Sequence, residues 1–180
     1  MALSVECARS AIRRAGASRP LWVAASVGPY GAMLADGSEY RGRYGLTVRE
    51  LERFHRPRME VLAAAAPDVL ALETVPDTDE AEALLRAVRG LGVPAWLSYS
   101  ASGDRTRAGQ PLEEAFALAA RADEVIAVGV NCCTPRTPTT PSPSPPASPA
   151  SRSWSTPTAV RPGTRGRGRG RAGRRSVPGG

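Results

Sequence analysis

Apolar residues fall in four short, nearly unbroken runs, and the stretches between them place apolar and polar positions at helical spacing. The runs are Leu21-Trp-Val-Ala-Ala-Ser-Val27, Val69-Leu-Ala-Leu-Glu-Thr-Val75, Ala95-Trp-Leu-Ser-Tyr-Ser100 and Val125-Ile-Ala-Val-Gly-Val130. Strands that read this way are buried on both faces, which argues a parallel sheet covered by helices. The helical stretches carry their own punctuation. Residues 3–16 form an amphipathic segment before Pro20. Thr47-Val-Arg-Glu50 is a capping box opening a helix with Leu51, Phe54 and Leu62 among its apolar positions, which Pro57 is expected to kink or divide. Asp77, with Glu80 following in the first turn, starts another helix that ends near Gly90 and Gly92, and Pro111 opens one over residues 112–122. The order is helix, then strand-helix three times, then strand, an α/β chain with right-handed crossovers.

A doubly wound sheet and a barrel both fit that order. No Gly-x-Gly-x-x-Gly follows any strand, so a dinucleotide-binding fold has no support. The unusual residues all lie at or beyond strand C-termini: Gly28 to Gly31, Glu73-Thr74, Ser98 to Ser100 and Asn131-Cys132. Barrel enzymes build their sites there, which favours a partial (β/α)8 TIM-type barrel of about four central strand-helix units. Such a piece has two open edges with apolar inner faces and no covering partner, and its stability is expected to be marginal or to depend on association.

Composition changes the picture only after residue 136. All 24 basic residues are arginine, and eight of them lie in 137–180 with no Asp or Glu, so the net charge of +7 belongs to that segment. Its first part is rich in Pro, Ser and Thr and its last part contains Arg165-Gly-Arg-Gly-Arg-Gly-Arg171, so the reading is a folded unit over 1–136 and a disordered tail over 137–180. The tail resembles Arg-Gly segments that bind RNA nonspecifically, although Trp154 is its only aromatic residue. Nucleic acid is therefore a partner only through the tail. No run has the apolar length of a membrane span and the N-terminus has no signal-peptide core, so no membrane partner is expected. Three cysteines, two of them adjacent, make no disulfide framework, and the expected location is cytoplasmic.

Five motifs then carry a resemblance. Ser26-Val-Gly-Pro-Tyr-Gly-Ala32, Ala35-Asp-Gly-Ser-Glu-Tyr-Arg-Gly42, His55-Arg-Pro-Arg58, Leu72-Glu-Thr74 and Gly129-Val-Asn-Cys132 resemble, in order and spacing, the homocysteine S-methyltransferase family. The resemblance covers residues 3–136. It implies methyl transfer from a sulfonium donor, S-methylmethionine or S-adenosylmethionine, to homocysteine, giving methionine, with the substrate sulfur bound to a zinc ion held by three cysteines. A free thiol with pKa about 8.5 is mostly protonated at neutral pH, and coordination to zinc deprotonates it. Carried onto this chain, the resemblance makes Cys132 the first zinc ligand and Glu73 the carboxylate that holds the substrate's ammonium group, with Asn131 lining the pocket. No residue is assigned as a catalytic acid or base. The family's other zinc cysteines belong to a Gly-Gly-Cys-Cys stretch that this sequence lacks, as it lacks the Asp-Gly-Gly of the family's first strands. The chain is thus expected to be incomplete, binding zinc weakly or not at all, with weak activity or none.

Taken without the family, a cysteine at a strand end is ordinarily a small buried hydrophobe. A glutamate inside an apolar run is harder to set aside, because a buried carboxylate must be satisfied or functional. His55, the only histidine, sits between arginines and reads as structural, and Tyr30, Tyr40 and Tyr44 read as loop packing.

The segment beyond Cys133 carries a trace of the same family in another reading frame. With each codon begun one nucleotide earlier, residues 149–165 permit Thr-Gly-Lys-Pro-Val, then Val-Val-Tyr-Pro-Asn-Ser-Gly-Glu, then Ala-Trp-Asp-Ala. The middle run matches the family. The expectation is a frameshift between Cys133 and Pro149, with the original frame continuing into the missing strands and zinc ligands. The Arg-Gly run is then a by-product of GC-rich coding.

Overall fold

A computed structural model describes residues 1–133. Its elements are α1 (Ala2–Ala15), β1 (Ala24–Val27), α2 (Gly31–Leu34), a 3-10 turn (Ser38–Tyr40), α3 (Val48–Ala64), β2 (Val69–Val75), α4 (Thr78–Val88), β3 (Ala95–Ser102), β4 (Arg105–Thr106), α5 (Leu112–Ala119) and β5 (Val125–Asn131). Four strands are parallel in the order β1-β2-β3-β5, and the short β4 folds back antiparallel on the end of β3. The alternation legible in the sequence is present, and the sheet is predominantly parallel. The boundary placed after residue 136, and the tail with it, lies outside the described residues.

Two elements differ from expectation. β1 begins at Ala24 rather than Leu21, because Val23 is engaged elsewhere: its N–H donates to Asp68 Oδ2 at 2.7 Å and its carbonyl accepts from the amides of Asp68 and Val69. Pro57 does not divide α3, which runs unbroken from Val48 to Ala64 under an intact capping box at Thr47. Proline removes the hydrogen bond that would reach the Arg53 carbonyl, and both residues are exposed, so water can take its place. α2, the 3-10 turn and the β3–β4 hairpin had no signal in the apolar pattern.

The helices cover one face of the sheet. Val27, Leu70, Leu72, Leu97 and Tyr99 pack there with Met59, Leu62, Leu84, Val88 and Ala115 in one core. Full burial of a leucine such as Leu72 or Leu97 contributes about 1.5–3 kcal/mol. The other face, the inner face that half a barrel is expected to leave without a covering partner, is open. Its rows, set by the register, are Ser26, Ala71, Trp96 and Ala127, then Ser98 and Gly129, then Ser100 and Asn131. Small and polar side chains predominate in these rows, and most are partly or fully exposed.

The helical layer stops short of β5. Val128 is in register with Leu97 and Val130 with Tyr99, so they point to the covered side, yet Ile126, Val128 and Val130 are 46%, 38% and 43% exposed.

Candidate active site at the strand ends

The C-terminal end of β2 is bulged. Leu72 opposes Leu97 and Val75 opposes Tyr99, so Glu73 and Thr74 share the space opposite Ser98. Bulges of this kind re-aim side chains beside functional sites. Thr74 sits at φ 62, in the left-handed region, where a non-glycine residue costs about 1–2 kcal/mol and a β-branched one is a clear outlier. Glu73 meets Ser26, whose Oγ–H donates to Glu73 Oε1 at 2.5 Å. The carboxylate is half-buried rather than enclosed, because this face of the sheet is uncovered.

Asn131, the last residue of β5, reaches across β3 to that bulge. Its Oδ1 accepts from the Thr74 N–H at 3.1 Å and its Nδ2 donates to Thr74 Oγ1 at 2.8 Å. On the intervening strand, Ser100 is fully buried and its Oγ has no hydrogen-bond partner among the described residues. Cys132 follows at φ 48 with its Sγ 3.6 Å from Asn131 Nδ2, and its carbonyl accepts from the Arg107 guanidinium at 3.1 Å. Cys132, Cys133 and Cys7 are all free and exposed, so none is the buried hydrophobe that a strand-end cysteine ordinarily is. Asn131 thus touches both the bulge that carries Glu73 and the thiol of Cys132.

The loop after β1 is fixed at the same end by a buried polar cluster centred on Glu80. The Glu80 carboxylate accepts from the Tyr30 N–H at 2.5 Å, from His55 Nε2 at 3.0 Å and from the Tyr44 hydroxyl at 3.2 Å. The Arg58 guanidinium donates to His55 Nδ1 and to the Gly28 carbonyl, which leaves Nε2 as the protonated nitrogen that faces Glu80. Burial holds the His55 pKa below its ordinary value, against the opposing pull of Glu80. Burial, followed by the Glu80 charge, pushes the Tyr44 hydroxyl up, so it stays a donor. Tyr30 packs on Tyr44 and Phe54, with ring centroids 5.2 and 4.9 Å away. Asp77 caps α4 by accepting from the Glu80 N–H at 2.8 Å, and its other oxygen accepts from the Arg43 N–H at 2.7 Å.

Two motif glycines have a steric reason in this loop. A Cβ on Gly31 would strike the backbone of Ser38 and Glu39, and one on Gly42, at φ 70, would strike the Asp77 carboxylate. The sequence marked Glu80 only as a helix-start residue. Its partners Tyr30, Tyr44 and His55 lie 50, 36 and 25 positions away, and no local pattern joins them. A groove of about 510 Å³ lined by Glu52, Leu85, Arg86, Arg89 and Arg121 lies among the helices and shares no residue with the strand-end cluster.

Parallel α/β sheets bind their substrates beyond the carboxyl ends of the strands, which makes this rim the candidate site of an α/β protein by position. The model of the homocysteine S-methyltransferase family matches residues 1–142, and the chain belongs to that family. It is similar to homocysteine S-methyltransferase 4 of Zea mays, with 49% identity over 122 residues that make up 65% of this chain and 36% of the relative. It is 45% identical over 135 residues to the homocysteine S-methyltransferase of Escherichia coli (strain K12), covering 72% of this chain and 44% of that one. Selenocysteine Se-methyltransferase of Brassica oleracea var. italica is 46% identical over 123 residues, 66% of this chain and 36% of that one. The crystal structure of the homocysteine methyltransferase MmuM from Escherichia coli in its metallated form matches with a TM-score of 0.68 and 44% identity, over 73% of this chain and 48% of that one. The chain therefore spans less than half the length of these relatives.

The family and the metallated MmuM raise the question of a metal in this chain. Among the described residues no three His, Cys, Asp or Glu side chains come close enough to hold one. The donor set present does not fit a zinc centre.

Proposed function

We propose that residues 1–136 are the central part of a (β/α)8 barrel and form part of the substrate site of a homocysteine S-methyltransferase. The reaction is methyl transfer from S-methylmethionine or S-adenosylmethionine to homocysteine, giving methionine. The observation that supports this reading is the convergence of Glu73, Asn131 and Cys132 at one end of the sheet in a chain of this family. Glu73 offers a half-buried carboxylate for the ammonium group of homocysteine. Asn131 stands between that carboxylate's bulge and Cys132. Cys132 is the thiol that would join the family's zinc, and this sequence lacks the Gly-Gly-Cys-Cys stretch from which the further ligands would come. The new bond joins the substrate sulfur to the methyl carbon, and the bonding pair of the broken bond stays on the donor sulfur, which leaves as a neutral thioether. That leaving group needs no proton, so no general acid is required. Three free thiols fit a cytoplasmic location, and no described helix is long and apolar enough to cross a membrane.

Calorimetric titration of the full chain with L-homocysteine tests the reading. Binding is expected to be about tenfold weaker in Glu73→Gln, whereas N-acetylhomocysteine, which lacks the ammonium group, binds both forms alike. Equal loss for both ligands would show that Glu73 does not hold the amine. With S-methylmethionine and zinc added, no methionine should form. Turnover with stoichiometric zinc would overturn the view that the chain supplies only part of the site. The RNA-binding reading falls on residues outside the described ones, and none of the relatives supports it.

A further inference from the structure

We infer that Asn131 serves the site by holding Thr74 in its left-handed conformation, so that it is a positioning residue for Glu73 and not a contact of the substrate. Thr74 occupies φ 62, which a β-branched residue does not adopt unaided. Both its N–H and its hydroxyl are bonded by one side chain, with Asn131 Oδ1 accepting at 3.1 Å and Asn131 Nδ2 donating at 2.8 Å. Those bonds use one of the two lone pairs of the amide oxygen and one of its two donor hydrogens, and the nitrogen also lies 3.6 Å from Cys132 Sγ. The bridge spans the whole width of β3, which separates β2 from β5. It therefore ties the Glu73-Thr74 bulge to the strand that ends in Cys132. If Thr74 returned to extended backbone, the extra residue of the bulge would have to move, and Glu73 with it.

The inference rests on the assignment of Glu73 to the substrate amine, and its test separates the two. Homocysteine affinity and the exchange rate of the Thr74 amide are measured in the full chain for wild type, Asn131→Ala, Asn131→Asp and the double variant Asn131→Ala with Thr74→Gly. Glycine takes a positive φ without steric cost, so it replaces what the clamp supplies. The expected result is about tenfold weaker homocysteine binding in Asn131→Ala and recovery to within about twofold of wild type in the double variant. Loss without recovery would overturn the inference and make Asn131 a direct contact. Asn131→Asp can still accept from both the amide and the hydroxyl of Thr74, so the Thr74 amide should exchange slowly there and in wild type, and fast in Asn131→Ala. That comparison also serves if Asn131→Ala fails to fold, since slow exchange in Asn131→Asp sustains the clamp and fast exchange removes it. If the wild-type chain does not bind homocysteine, the substrate reading fails for this chain. The clamp is then decided by exchange alone: a fast-exchanging Thr74 amide in wild type overturns it, and a slow one lost on Asn131→Ala sustains it.

Discussion

The loop that follows β1 and the end of β5 belong to the same rim of the sheet, yet they are built in opposite ways. In the first, a fully buried carboxylate, Glu80, meets a backbone amide, an imidazole and a phenol, and the Asp77 carboxylate ties the adjoining backbone to α4. In the second, Asn131 makes the bridge to Thr74, but the cysteines beyond it are exposed and the apolar row behind it is bare. Neighbouring layers explain the difference. Where α3 and α4 lie on the sheet, burial makes an unpaired carboxylate costly, and the Glu80 carboxylate is held by three donors. Where the helical layer ends, no such pressure acts among the described residues, and the thiols stay available for a partner from elsewhere.

The largest effect should come from Glu80. Glu80→Ala leaves the Tyr30 amide, His55 and Tyr44 without their acceptor and is expected to cost about 3–5 kcal/mol, read from urea unfolding. A cost below about 1 kcal/mol would mean that the cluster is not what fixes this loop. The second contrast lies between register partners. Leu97→Ala should cost about 2–5 kcal/mol, because Leu97 is wholly enclosed. Val128→Ala, on the neighbouring position of β5, should cost less than about 1 kcal/mol. Equal costs would show that something covers β5 in solution.

A smaller effect concerns pH. His55 has a folded pKa below its reference value of 6.5, so as pH falls the unfolded chain takes up its proton first. The contribution is fully present above pH 6.5 and is lost as pH falls from there through the folded pKa. The thermal midpoint should therefore drop between pH 7.5 and 5.5, and the drop should be shallower in His55→Gln. An unchanged slope would place the proton uptake on another group. The smallest expected change is in Ile126→Thr, whose stability should stay within about 0.5 kcal/mol while sedimentation shows less self-association. A large destabilisation would contradict the bareness of that row.

What could be read from the sequence follows from how local each feature is. The four strands and their helices came from unbroken apolar runs and capping residues, both written within a few positions. Glu73 and Cys132 came from motifs, and the register brings their ends of β2 and β5 to the same rim of the sheet, one on either side of β3. The uncovered inner face followed from four units standing where a barrel has eight, but its small and polar lining did not, because Ala71, Ala127 and Gly129 count as apolar in a run. Nor was the bulge legible, since Leu-Glu-Thr carries no mark of a positive φ at Thr74. The Thr74–Asn131 bridge joins residues 57 apart, and only folding sets such a distance. Pro57 misled for the opposite reason: its local rule is sound, but exposure lets solvent replace the missing bond.

The bare row on β5 also bears on how such a chain is made. Val125-Ile-Ala-Val-Gly-Val130 has strong β propensity, no charge and no proline, the composition of a segment prone to stack with copies of itself. A ribosome synthesising one of the longer relatives passes through a moment when the equivalent of this strand has emerged and whatever covers it has not. During that interval the strand is an adhesive edge, and the yield of folded enzyme depends on how quickly the next segment arrives. Among the described residues of the present chain nothing covers that row, so the concentration of its own copies bears on how long it stays single.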